Sequence, residues 1–197
     1  MKNEIGLKTI FLQAVIIACL IISPSSCADD KKTNDTKEVA ETTNEAVLDN
    51  SSKEKDAQFL VNASEIYLTE INLGQLAQQK AMMADVKALG KTMEEDHTKT
   101  LAQVTSLAVQ KTITLPEDLT QKGMDAHKKL TDMPAKDFDK AYCDMMVNGH
   151  KDAIAMFEKA VAETKDADIK AWATEKLSGL HLHHDKSMAC QAKLDKM

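Results

Sequence analysis

From Asp56 onward the apolar residues recur every three or four positions, and each recurring line is broken by a polar residue that packing alone does not call for. The first line runs Phe59, Ala63, Ile66, Glu70, Leu73 and Ala77. The second runs Val86, Leu89, Met93, His97, Leu101, Val104 and Leu107. A third follows Tyr142, Met146, His150, Ala153, Phe157 and Val161, and a fourth follows Ile169, Ala173, Leu177, Leu180, His184 and Ser187. Such spacing places one stripe on one face of a helix, so four long helices are expected to share a core. Nothing alternates with period two, and Pro (3), Gly (6) and aromatics (4%) are too scarce for a chain of strands and turns. The expected class is all-α.

The breaks set the topology. "KAMM" near residue 82 and "ETKDAD" over 163–168 are short links, the second with Asp166 or Asp168 as a helix cap. Between them, "KTITLPEDL" ends the second helix, residues 117–132 form a short extra helix, and Pro134 in "DMPAKD" stops it. Short links force antiparallel neighbours, which predicts an up-down-up-down four-helix bundle over 56–197 with both short links at one end.

That arrangement lets heights be compared. At 1.5 Å per residue, Glu70 lies about 17 Å and His97 about 23 Å from the first link. His150 and His181 lie about 23 Å from the second, with His183 and His184 about 26–28 Å away. One polar residue from each helix therefore falls within about two turns of one layer. Glu70, His97, His150 and either His183 or His184 are the candidate metal ligands. A hydrogen-bonded Glu/His network without metal uses the same residues equally well. His127 falls in the short connecting helix and is read as solvated.

The donor set discriminates among metals. A di-iron centre needs Glu-x-x-His on two helices. Glu94 and His97 supply one such pair, but the matching positions are Val147 before His150 and His181 before His184. A histidine-rich set suits zinc or copper better than di-iron. Met145, Met146, Met156 and Met188 are near in sequence, but methionine at helical spacing first reads as core filling. No Ser-His-Asp pattern or phosphate loop is present, so a binding role is expected rather than turnover, with no catalytic residues assigned.

The first 26 residues read as an export signal, with Lys2 and Lys8 before an apolar run from Ile10 to Ile22. "SPSSC" then places small residues before Cys27, which resembles the lipidation site of bacterial lipoproteins, with Pro24 in place of the usual Leu. Lipidated Cys27 and a flexible tether to residue 55, rich in Asp, Glu, Lys, Thr, Asn and Ser, are expected to join the domain to a membrane. A formal charge of −6 with no arginine argues against a nucleic-acid partner. Cys143 and Cys190 lie at similar heights on the last two helices, and an oxidising compartment would allow a disulfide between them.

These segments also resemble a family. "FLVNASEIYLTEINLGQLAQQKAMMADVKALGKTMEEDHTK", "TLPEDL", "FDKAYCDMMVNGHKDAIAMFEKA" and "IKAWATEKLSGLHLHH" are similar to the bacterial domain of unknown function 4142 over about residues 56–190. That family is assigned to the ferritin-like superfamily and is often labelled as outer membrane protein. The resemblance implies a ferritin-like bundle in the cell envelope, with polar positions at Glu70, Asp96, His97, His150 and His183. Ser178 replaces the family's usual Pro, and His181 and His184 are extra. "AYCDMMVNGHKDAIAMF" resembles, in addition, a Met- and His-rich periplasmic family linked to copper. The family's name records no activity.

Overall fold

The computed structural model describes residues 35–196, and the expected export signal and Cys27 fall outside them. The described chain is all helix: α1 (Thr36–Val47), α2 (Ser51–Lys80), α3 (Ala84–Lys111), α4 (Gln121–Thr131), α5 (Ala135–Glu163) and α6 (Ala167–Leu194). None of these helices is long and apolar enough to cross a membrane.

Helix starts follow the side-chain capping rule. Asn50 accepts from Ser52 and Lys53, Thr120 from Gly123, and Asp166 from Asp168 and Ile169, each satisfying amides that have no partner within the helix. α3 has no cap of its own at Met83. Just before it, the buried Asp139 carboxylate on α5 accepts the amides of Met82 at 3.0 Å and Met83 at 2.7 Å. This ties the α2–α3 link to the start of α5.

The long helices α2, α3, α6 and α5 pack as successive neighbours. α2 and α3 approach most closely where two glycines face one another. A Cβ on Gly74 would sit 2.5 Å from the Gly90 carbonyl oxygen, and one on Gly90 would sit 2.7 Å from the Gly74 carbonyl oxygen. Only glycine permits that backbone approach.

The expected up-down-up-down order is corrected. The start of α5 meets the α2–α3 link through Asp139, while Lys111 at the end of α3 pairs with Asp166 and Asp168 at the start of α6, at 2.7 and 2.6 Å. Lys193 near the end of α6 meets Asp85 at the start of α3 at 2.8 Å. α2 and α6 therefore run one way, and α3 and α5 the other, so the short links lie at opposite ends. α4 is what allows this. It travels beside α2, from Thr120 bonded to Glu65 to Leu130, whose carbonyl accepts from Lys80. The chain is thereby returned to the far end before α5 begins. Short links dictated antiparallel pairs correctly, but the connecting segment is long enough to span the molecule, which the link argument did not use.

The tether prediction is also corrected, from Asp35 onward. α1 occupies Thr36–Val47, and α2 begins at Ser51 rather than Asp56. α1 buries little apolar surface, which is why composition read it as unfolded. It is held instead by polar contacts. The buried Asn44 amide donates to the Thr114 carbonyl at 2.9 Å and accepts the Thr114 amide at 2.8 Å, and Lys37 pairs with buried Glu65 at 2.9 Å.

The core is in two parts. One cluster includes Phe59, Tyr67, Ala153, Phe157, Trp172 and Leu180. The other includes Leu73, Met93, Phe138, Tyr142, Met146 and Cys190. On α2, Glu70 falls between Tyr67 and Leu73; on α5, His150 falls between Met146 and Ala153. A polar layer thus separates two apolar ones.

Candidate metal centre

That layer draws one group from each long helix: Glu70 from α2, His97 from α3, His150 from α5 and His183 from α6. All four are buried, at 5%, 2%, 0% and 5% exposure. The three imidazoles each offer one nitrogen, and those nitrogens lie within 4.8 Å of one another. The ring centroids of His97 and His183 are 4.9 Å apart, and those of His150 and His183 are 5.4 Å apart, both edge-on. Tyr67 stacks on His97 at 5.2 Å and fixes its plane. Glu70 Oε2 sits 2.6 Å from His97 Nε2 and 3.5 Å from His150 Nε2.

Proximity here is not the same as hydrogen bonding. Glu70 Oε2, His97 Nε2, His150 Nε2 and His183 Nδ1 are all buried without an aligned hydrogen-bond partner. Four polar atoms from four helices converge and leave one another unsatisfied, an arrangement that costs stability unless something between them accepts their lone pairs. An ion with bonds of about 2.0–2.1 Å holds tetrahedral ligand atoms about 3.4 Å apart, close to the Glu70–His150 separation.

The outward nitrogens are occupied in a way that suits this. His150 Nδ1–H donates to the Met146 carbonyl at 2.9 Å, leaving Nε2 as the lone-pair atom. His183 Nε2–H donates to Asp96 Oδ2 at 3.2 Å, leaving Nδ1. A carboxylate or carbonyl behind a ligating imidazole fixes its tautomer and raises its basicity.

Burial holds the His183 imidazole neutral, with its pKa lowered to about 4; nearby His97 adds to this, and Asp96 opposes it. Burial pushes the Glu70 carboxyl up, but the adjacent His150 and His97 imidazoles outweigh it and hold the group at about 2. Glu70 is therefore a carboxylate, and a cation in this layer is what it answers to. Beside the layer, desolvation and the Glu70 charge push the Tyr67 phenol upward, so it stays neutral.

The structure brings together all four residues singled out in the sequence. The fourth stripe itself is corrected by one position: His183 is buried, while His184 is half-buried and His181 exposed. Glu94, the carboxylate of the Glu-x-x-His pair, turns away and accepts from Gln75 at 2.8 Å and Gln78 at 2.6 Å. The backing role of Asp96 was not derivable from spacing. Neither was that of Gly74 and Gly90, although "NLG" one turn after Glu70 and "ALG" two turns before His97 carried the signal. Cys143 and Cys190 are free thiols rather than a bridge; both are buried and share a sulfur hydrogen bond that raises the first thiol and lowers the second. Met188 is exposed, so it is not core filling.

The sequence pattern of a family described as Domain of unknown function (DUF4142) matches residues 37–190. The chain belongs to this family. The DUF4142 match begins at α1, which agrees with that helix being part of the folded domain. No curated protein matches the sequence. A crystal structure of a DUF305 fragment from Deinococcus radiodurans superposes with a TM-score of 0.62 at 10% identity, covering 71% of this chain and 96% of that one. At that identity the likeness concerns the fold alone.

Proposed function

We propose that this DUF4142 chain is an exported, lipid-anchored cell-envelope protein, a ferritin-like four-helix bundle that holds one transition-metal ion. The ligands in this reading are Glu70 Oε2, His97 Nε2, His150 Nε2 and His183 Nδ1. Three nitrogens and one carboxylate oxygen suit zinc or copper. The observation that carries it is the convergence of these four buried atoms without hydrogen-bond partners. With all four positions taken by protein, the centre is closed, which fits sequestration or structural use better than turnover. What the ion supplies is a positive charge that satisfies the layer. What the protein supplies is the preset imidazole orientation from Asp96 and Met146.

The export and anchoring parts rest on the sequence, on the apolar run Ile10 to Ile22 and on "SPSSC" before Cys27. Radiolabelled palmitate incorporation, lost on Cys27→Ser, tests the anchor.

One contact favours a second reading. The 2.6 Å separation of Glu70 and His97 is shorter than neighbouring metal ligands adopt and fits a direct carboxylate–imidazolium pair. Under that reading the layer is a metal-free network in an envelope structural or protein-interaction domain. Elemental analysis of protein purified without chelator separates the two. The metal reading expects about one zinc or copper per chain, and none in a His97→Ala/His150→Ala variant. A metal-free wild-type protein that takes up no added ion leaves the network reading.

A further inference from the structure

A cavity of about 530 Å³ opens between α2, α4 and α5, and its lining includes Glu70 but none of the three histidines. Its walls are largely apolar, formed by Ile66, Leu73, Leu130, Met133, Met145 and Met146. The charged residues around it divide by depth. Lys122, Lys129 and Asp152 are exposed at the mouth, and half-buried Asp144 is engaged by Gln191 at 2.6 Å and Lys140 at 3.6 Å. Glu65 is buried but is already engaged by Lys37 at 2.9 Å and Thr120 at 2.8 Å. That leaves Glu70 as the buried charge with capacity to spare.

The two Glu70 oxygens face different neighbours. Oε2 is directed to His97 and His150. Oε1 lies toward Gly149, where an added Cβ would stand 3.3 Å away. Among the described residues both histidine contacts of Glu70 run through Oε2, and neither uses Oε1. The missing side chain at Gly149 keeps that oxygen open to the cavity. A buried carboxylate oxygen at the base of an apolar pocket selects for a donor, and most strongly for a cationic one.

We propose that this cavity binds a small amphipathic amine, with its apolar body along the leucine and methionine walls and its ammonium group on Glu70 Oε1. A carboxylic acid of the same shape would meet like charge with no cation at that depth. An alcohol would make the hydrogen bond without the charge. The site does not depend on a metal, because an ion in the histidine layer would use Oε2.

The test is a titration of the full-length, metal-free protein with 2-phenylethylamine, 2-phenylethanol and 3-phenylpropionate, read by the methyl NMR signals of ¹³C-methionine. Saturable shifts at Met133, Met145 and Met146 are expected with the amine, and binding of the acid about tenfold weaker or less. Ala126→Phe, which fills the cavity from α4, should abolish the shifts while leaving the helical CD spectrum unchanged. Glu70→Gln should remove the preference for amine over alcohol. If that variant does not fold, Gly149→Ala, which crowds Oε1, should do the same. Equal binding of acid and amine, no saturable shift at these three methyls, or full binding by folded Ala126→Phe would each overturn the proposal. Because the protein is metal-free, failure to bind zinc would leave this result standing.

Discussion

Asp96 on α3 accepts the Nε2–H of His183 on α6 across 3.2 Å, and this one bond decides which nitrogen of His183 faces the polar layer. The neutral imidazole carries a single N–H. With that proton held by Asp96, the buried Nδ1 presents a lone pair to the centre. Asp96 is thus a positioning residue for a ligand it does not replace. Asp96→Ala is expected to weaken zinc binding about 10–100-fold while leaving the one-to-one stoichiometry intact. Asp96→Glu should recover part of the loss. Calorimetric titration of the two variants checks this.

The close approach of α2 and α3 makes Gly74 a sensitive position. Alanine ordinarily favours a helix over glycine by about 1 kcal/mol. Here its Cβ would meet the Gly90 carbonyl oxygen at 2.5 Å, a backbone atom that cannot rotate away. Gly74→Ala is therefore expected to destabilise by about 1–3 kcal/mol. Urea unfolding checks the sign, which is opposite to the propensity expectation. Zinc affinity should fall as well, since Glu70 lies one turn away on the same helix.

The metal-free protein should lose stability in acid in two stages. His183 has a folded pKa of about 4 against an ordinary value of 6.5, so the unfolded chain binds more protons between those values. Its contribution is complete above about pH 6.5 and is lost as pH falls toward 4. Glu70, held at about 2 against 4.5, adds a second loss below about pH 4.5. Melting temperatures between pH 7.5 and 3 should therefore decline steadily from the upper value. His183→Gln should flatten the decline between pH 6.5 and 4.

Asn44 should matter more to α1 than any apolar residue in that helix. Its amide pairs with both backbone groups of Thr114 and is buried. Truncation to alanine leaves those groups unpaired, at a cost of about 1–3 kcal/mol. Amide exchange over Thr36–Val47 in Asn44→Ala should rise markedly, while exchange in α3 and α5 stays near wild type.

The thiols of Cys143 and Cys190 are adjacent across α5 and α6. Oxidised glutathione should convert them to an intramolecular disulfide, releasing two molecules of reduced glutathione. The bridged form should be more stable by about 4 kcal/mol on the chain-entropy view. Thiol titration in denaturant, before and after oxidation, checks the bridge. Mixed glutathione adducts in place of a bridge would contradict it.

Much of the site was legible in the sequence because a polar residue within a long apolar stripe is hard to explain otherwise. Glu70, His97 and His150 were found this way. The residues share one height for a reason other than a common end for the two links. The two short links lie at opposite ends, but His97, His150 and His183 sit near the middle of helices of 28–29 residues, where the distance to either end is similar, and Glu70 was measured from the α2–α3 link alone. His183 was separable from His184 only through the family resemblance, since stripe spacing alone admitted both. α1 was missed because its docking depends on Asn44 and Lys37, and hydrophobic periodicity does not register polar contacts. Asp96 was missed as a backing residue because its role requires α3 and α6 to be neighbours, which no local pattern specifies.

The most direct test of the central claim is a calorimetric titration of zinc, and of copper, into metal-free protein beside the His97→Ala/His150→Ala variant. One-to-one binding that is lost in the variant, and that weakens as pH falls below about 6.5 while protons compete for imidazole, is the predicted result. Absent binding, or binding that the variant retains, would contradict it and make the layer a hydrogen-bonded network.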